Sequence, residues 1–230
     1  MRALAAAILL ASCVSPPELR DGDVRGAGMR EFARAVLPLD GAQHTLVVGG
    51  RPAEVGFVAL FAATGACVAS RELSDDVIYA VDVARGGRLA ALAMANGDVS
   101  TLELPGLQPT ACWRHGKPAV AVAFSPDGEV LASGGYDGVV RIGAVPAATP
   151  TVIEHGAPVL SLRFADDGQT LLAGARDGSV RLFERGGRLL RTWNRLGGEV
   201  TSVAFANGKP CCIVRMLPAI APLPRELPWP

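Results

Sequence analysis

The side chains able to do chemistry are few and regularly placed. The chain holds three histidines, His44, His115 and His155. The last two stand 40 residues apart, and each is followed at the same remove by an aspartate, Asp137 or Asp177. A histidine near an aspartate suits acid–base work, and adjacent acids such as Asp75-Asp76 and Asp166-Asp167 suit a cation or an acid/base pair. The surrounding motifs do not bear this out: there is no G-x-S-x-G elbow, no glycine loop ahead of a lysine to cradle phosphate, and no H-E-x-x-H. Asp21-Gly22-Asp23 has the look of a calcium loop but lacks the distal glutamate. The vicinal pair Cys211-Cys212 lacks the second pair or histidine that zinc requires. No catalytic residue, metal site or cofactor is assigned.

What positions the histidines is a repeat. His115 to Arg141 lies on His155 to Arg181 without a gap, with Phe124 on Phe164, Asp127-Gly128 on Asp167-Gly168 and Asp137-Gly138 on Asp177-Gly178. A step of 41 back from Phe124 reaches Val83, with Gly86-Gly87 and Asn96-Gly97 at the two turn positions. A further step finds Gly56 and Val58, so Thr45 to Leu73 carries the later strands of another copy. Forward, Phe205 lies 41 beyond Phe164, and the pattern fades after Asn207-Gly208. A fixed period of this length marks units that cannot bury their faces alone and must stack.

Within a copy the signal is that of strands. Val120, Val122 and Phe124 alternate with Ala121 and Ala123, Ser125-Pro126-Asp127-Gly128 is a turn, and Val130 to Ser133 is a second strand. Tyr136-Asp137-Gly138 makes a hairpin into Val139 to Ile142, and a weaker fourth strand runs through Thr151 to Ile153. Four short antiparallel strands per 40 residues is the layout of a propeller blade. The expected fold class is therefore all-β: a β-propeller of four-stranded antiparallel blades, about four of them present, incomplete or truncated toward the C-terminus.

The run Val122-Ala123-Phe124-Ser125-Pro126-Asp127-Gly128, followed by Leu131-Ala132-Ser133-Gly134-Gly135-Tyr136-Asp137-Gly138-Val139-Val140-Arg141, resembles a blade of the WD-repeat family. The resemblance implies that a histidine before the first strand, a serine on the second, an aspartate in the hairpin and a tryptophan on the third hydrogen-bond within each blade. His115, Ser133 and Asp137 match, with Gly143 at the tryptophan position. His155 and Asp177 match in the next copy, while Ala173 and Phe183 replace serine and tryptophan. These are structural blade positions, since buried polar groups nearly always find partners.

The copies run over about 39–73, 74–114, 115–154 and 155–195, with a partial copy at 196–208. Residues 1–12 read as an export signal, with Met1-Arg2 as its positive end and Ala3 to Ala11 as an apolar core too short to span a bilayer. Leu10-Ala11-Ser12-Cys13 resembles a bacterial lipobox, which implies lipidation of Cys13; ordinary cleavage near Ala11, or an uncleaved segment from a misassigned start, are the alternatives. Residues 13–38 would then be a tether, leaving the protein at a cell membrane or outer membrane, facing periplasm or exterior. Cys67, Cys112, Cys211 and Cys212 permit a disulfide in such a compartment, but Cys67 and Cys112 fall at unmatched positions in adjacent copies.

From Pro210 onward, prolines at 218, 222, 224, 228 and 230 replace the pattern, and residues 209–230 read as a proline-rich non-repeat tail. A shortened frame, a small ring closed by pairing the fifth copy with the first, and completion by another chain are the three explanations; the abruptness favours the first. Lys plus Arg, at 22, equals Asp plus Glu, at 22, so no net field draws the chain to nucleic acid. The expected function is a non-catalytic interaction scaffold with protein partners. The alternatives are an enzyme or ligand sensor using the central channel, whose strands offer Ser161, Arg163 and Ser202 as polar groups, and a remnant without independent function.

Overall fold

Glycine-bearing turns divide the apolar runs of this chain into strands too short to stand alone. The computed structural model describes residues 32–39, 43–51, 53–145, 149–194, 196–215 and 225–226, and they form strands and turns. Strands β1 (Phe32–Leu39), β2 (His44–Arg51), β3 (Val55–Ala62) and β4 (Cys67–Ser74) make the first sheet. The second holds β5 (Ile78–Val83), β6 (Leu89–Met94), β7 (Asp98–Glu103) and β8 (Gln108–Arg114), and the third β9 (Ala119–Phe124), β10 (Val130–Gly135), β11 (Val139–Ala144) and β12 (Thr151–Glu154). The fourth holds β13 (Val159–Phe164), β14 (Thr170–Ala175), β15 (Val180–Glu184) and β16 (Leu189–Trp193). The fifth has three strands, β17 (Glu199–Ala206), β18 (Lys209–Arg215) and β19 (Arg225–Glu226). Every pairing is antiparallel between strands consecutive in the chain. This is an all-β, incomplete propeller of four to five blades.

Each junction between units has its own core. Leu46, Val58 and Leu60 of the first unit pack with Ile78, Leu92 and Leu102 of the second. Ala91, Val99 and Trp113 of the second meet Phe124 and Leu131 of the third. Ala132 and Val140 of the third meet Val159, Leu171 and Phe183 of the fourth, and Leu172, Val180 and Trp193 of the fourth meet Val200, Val203 and Val214 of the fifth. Each fully buried Leu, Val or Phe stabilises the stack by about 1.5–3 kcal/mol, so the units hold by their faces rather than by their edges. The first strands β5, β9, β13 and β17 touch in succession and form the inner wall, with β1 against β5. Among the described residues, no substantial packing joins the first sheet to the fifth.

Two boundaries move relative to the expectations. Phe32–Leu39, within the expected tether, is a strand paired with β2 from Phe32↔Gly50 to Leu39↔His44, so the first unit has all four strands. The period missed it because β2 and β3 are eight residues each, against six in β10 and β11, which carries the β1–β2 turn out of register. At the other end, the fifth unit continues past residue 208. Asn207 and Gly208, both at positive φ (52° and 74°), form a two-residue hairpin turn that pairs Ala206 with Lys209 and Phe205 with Pro210. The pair next to such a turn is hydrogen-bonded and the following one is not, so the missing N–H of Pro210 points away from β17 and costs that ladder nothing. Cys13 and Asp21-Gly22-Asp23 lie outside the described residues.

Candidate functional site

The hairpin turns at the start of each third strand place the polar side chains singled out in the sequence. In the third unit they meet. His115, entering β9, has both ring nitrogens occupied: Nδ1–H donates to Asp137, at 2.9 Å from Oδ1 and 3.0 Å from Oδ2, while the Ser133 hydroxyl on β10 donates to Nε2 at 2.9 Å. Asp137 also accepts from the backbone N–H of Gly116 at 3.1 Å and of Val139 at 3.2 Å, and from Arg141 Nη1 at 3.1 Å. Ser133 and the His115 ring are wholly buried. Burial pushes the His115 pKa down, with the Asp137 bond opposing it; the carboxyl of Asp137 is held below its usual value because its bonds outweigh burial. A neutral imidazole sealed from solvent holds a turn and reaches no substrate. The glycine at the tryptophan position is filled from outside: the Trp113 indole of β8 lies 3.1 Å from where a Cβ on Gly143 would stand.

In the fourth unit the matching residues do not join, which corrects the expected His155–Asp177 bond. Asp177 Oδ1 accepts instead from Ser179, the hydroxyl at 2.6 Å and the N–H at 3.0 Å. The residue matching Ser179 in the third unit is Val139, which has no hydroxyl to compete. Ala173 stands where Ser133 would serve the other nitrogen, and Arg181 Nη1 turns to the carbonyl of Glu154 at 3.1 Å. His155 is therefore buried with no hydrogen-bond partner on either ring nitrogen. Burial and the Arg181 charge depress its pKa to about 4.

The other candidates stay apart. Asp76 Oδ1 caps the N–H groups of Ala53 and Val77 at 2.9 and 2.8 Å, and Asp75 takes the Asn96 amide at 3.3 Å, so this acid pair is turn structure. Asp167 caps Gln169 N at 2.8 Å in the next turn. No group of three His, Cys, Asp or Glu side chains among the described residues is placed to hold a metal. Cys67 is an exposed thiol, and Cys212 is buried beside half-buried Cys211 on β18. Of the channel-wall groups, Ser161 accepts the N–H of Val203 at 3.1 Å, and Arg163 is exposed. Asp82, which sequence reasoning missed, accepts the N–H of Phe124 at 2.7 Å, and burial raises its pKa.

One further arrangement carries no sequence signal. Every inner strand has a bulge at the same place: the register slips past Arg34 in β1, Tyr79 in β5, Val120 in β9, Leu160 in β13 and Thr201 in β17. A bulge re-aims its extra residue and is a device found beside binding sites. The five residues share no chemical type, so no repeat pattern reveals them. They lie at the end of the inner wall that carries the His115 and His155 turns, where Tyr136 N–H binds the Pro118 carbonyl. The first two members meet: the Arg34 guanidinium lies over the Tyr79 ring at 5.9 Å. Arg34 and Tyr79 are exposed, and Val120, Leu160 and Thr201 are half-buried. The result is an aromatic and aliphatic arc at the mouth of the inner wall, with one guanidinium at its end.

Compared with protein-family models, residues 108–142 and 148–184 match the WD domain, G-beta repeat, which supports a WD-repeat family. Each match ends on the third strand of a sheet, at Ile142 in β11 and Glu184 in β15. The first begins on β8, the outermost strand of the preceding sheet, so the sequence repeat is offset from the sheet by one strand. Among curated proteins, none matches the chain significantly.

Proposed function

We propose that this chain is a non-catalytic protein-interaction scaffold whose binding surface is the arc of bulged residues Arg34, Tyr79, Val120, Leu160 and Thr201. The matched repeats suggest a protein-interaction scaffold. The observation that supports this site is the recurrence of the bulge at one position in five units, with exposed Tyr79 and Arg34 in contact. The chemistry-bearing groups nearby, His115, Ser133 and Asp137, are spent on holding the turns that frame the arc. The scaffold is exported and held at a bacterial membrane by lipid on Cys13, a reading supported by the Leu10–Cys13 segment and the short apolar run before it.

The test uses the full chain with an affinity tag, cross-linked in membranes and recovered. A stoichiometric partner that is lost in Tyr79→Ser/Leu160→Ser and kept in a variant at exposed Glu103, on the opposite end of the sheets, supports the arc. A partner kept by the arc variant, or none at all, overturns it. For the anchor, Cys13→Ser is expected to move the protein from the membrane fraction to the soluble one and to remove the lipid mass from the N-terminal peptide. An unchanged distribution and mass refute lipidation.

A further inference from the structure

The third and fourth units are the same turn in two states. In the third, the aspartate bridges the histidine and the following backbone N–H. In the fourth, Asp177 keeps that N–H, from Ser179, but its other bond goes to the Ser179 hydroxyl at 2.6 Å, leaving His155 buried and unbonded. The surroundings of the two histidines differ at Val139 against Ser179, at Ser133 against Ala173 and at Gly135 against Ala175, where a Cβ on Gly135 would stand 3.0 Å from His115 Nδ1 and 3.2 Å from Asp137 Oδ1. We propose that the fourth turn is an acid-driven switch, in which protonation of His155 pulls Asp177 off the Ser179 hydroxyl and onto the imidazolium, in a pairing shifted from that of the third turn by the Cβ of Ala175.

The charges acting on His155 fix the direction. Arg181, on β15, opposes a second cation beside it, and Asp177, in the β14–β15 turn, favours one. Across the junction, Asp137 is held by His115 and Arg141, and Glu199 of the fifth unit is held by Arg176 at 2.7 Å. Glu154 offers its carbonyl to Arg181, and its side chain is exposed. Asp177 is thus the carboxylate acting on the ring that is not already held by another cation, beside the backbone of Ala173 and of His155 itself, which also favour the charged ring. Its carboxyl stays ionised in mild acid: burial works against the charge, but the Ser179 bonds and the nearby His155 and Arg181 outweigh it and leave the pKa lowered. A buried imidazolium without an acceptor is costly, whereas moving one carboxylate bond from a hydroxyl to a cation is favourable.

The turn sits on the joint with the fifth unit, so the switch is transmitted there. The Gly178 carbonyl accepts the Leu196 N–H at 3.1 Å, and a Cβ on Gly178 would stand 2.7 Å from the Gly198 carbonyl, leaving no slack between turn and loop.

The experiment is an NMR titration of the intact chain from pH 7.5 to 3.5, following the three imidazoles, assigned with His44→Gln and His155→Asn, together with the Ser179 amide. The expected result is a folded protein in which the Ser179 amide shifts with the His155 midpoint and not with that of His115. Ser179→Val, which copies Val139, removes the competing hydroxyl; the His155 midpoint is expected to rise by about 1–3 pH units, the usual effect of an adjacent opposite charge. Should Ser179→Val not fold, Ser179→Ala removes the same hydroxyl. The proposal is overturned if the His155 midpoint is unchanged in the variant that folds. It is equally overturned if the Ser179 amide ignores the His155 titration, or if His155 protonates only as the whole spectrum collapses.

Discussion

Asp137 and Asp177 occupy one position in two units, which makes them an internal control on what the hydrogen-bond network contributes. Asp137→Ala removes the acceptor for His115 Nδ1–H, the Gly116 and Val139 N–H groups and Arg141 Nη1. The side chains stranded are well covered, with His115 fully buried and Arg141 at 15% exposure. Removing one partner of a buried ion pair costs about 3–5 kcal/mol, because the other charge is left without compensation. Asp177→Ala removes two bonds, to the N–H and hydroxyl of Ser179, which is buried although Asp177 itself is exposed, and strands no cation beyond those already placed. Its cost is about 2 kcal/mol, since buried donors are left unsatisfied.

For a chain of this size, 1 kcal/mol moves the melting temperature by about 2–4 °C. Asp137→Ala is therefore expected to melt about 10 °C below the parent protein, and Asp177→Ala about 5 °C below. The measurement is urea unfolding at pH 7 followed by tryptophan fluorescence, with calorimetry for the melting temperatures. Trp113 and Trp193 lie in different junctions and report on opposite parts of the stack. The refuting result is an Asp177→Ala cost equal to or above that of Asp137→Ala, since a histidine without hydrogen bonds cannot lose one.

The remaining expectations concern the same polar groups. Ala173→Ser, which copies Ser133, supplies a partner for an orphaned nitrogen of His155 and is expected to add about 1 kcal/mol in urea melts, a gain that disappears on a His155→Phe background. His155 has its folded pKa pushed down to about 4 from the ordinary 6.5, so the unfolded chain takes the proton first. Stability should fall as pH drops from about 6.5 to about 4, by up to about 3 kcal/mol, and a His155→Asn protein should show a flatter profile in melts across that window. Asp82 has the opposite sign: burial raises its pKa, so the fold favours its protonated form and loses stability as pH rises through the raised value. Asp82→Asn keeps an acceptor for the Phe124 N–H without a buried charge and should melt higher than the parent at pH 7, with the difference shrinking in acid.

The strands of the third unit were legible because apolar alternation and paired Asp-Gly turns recur there at constant spacing. β9 to β12 fall where the pattern places them, within a residue or two. β1 was not legible, since its turn is displaced by longer strands, and β18 was hidden because a proline is read as a strand breaker whichever way its nitrogen faces. The His115, Ser133 and Asp137 cluster followed from the resemblance, and the structure brings those three together. His155 shows the limit of that inference. The Ser179 hydroxyl, two residues from the matching aspartate, holds the carboxylate, and Ala175 carries a Cβ where Gly135 leaves room for the bond; no motif scores either change. The bulged arc is invisible for a different reason, being a property of register and not of residue type.

Register also decides how the stack is able to continue. At the position that follows the bulge, the second strands carry Val48, Ala93, Gly134 and Gly174, paired with Ala35, Ala80, Ala121 and Ser161. In the third and fourth units the glycine makes room for the next unit: a Cβ at Gly134 would stand 2.6 Å from Val159 Cγ1, and one at Gly174 would stand 2.6 Å from Val200 Cγ1. In the fifth unit the same position, paired with Ser202, is Ile213, a full side chain that is 44% exposed. A valine from a following unit would meet the Ile213 side chain where Val159 and Val200 meet open space. Close-packed interiors do not absorb such added volume without displacement, at about 1–3 kcal/mol for extra methylenes. A contact made through this flank must therefore differ in geometry from the third and fourth junctions, where the position is glycine, and accommodate a branched side chain as the first junction does at buried Val48.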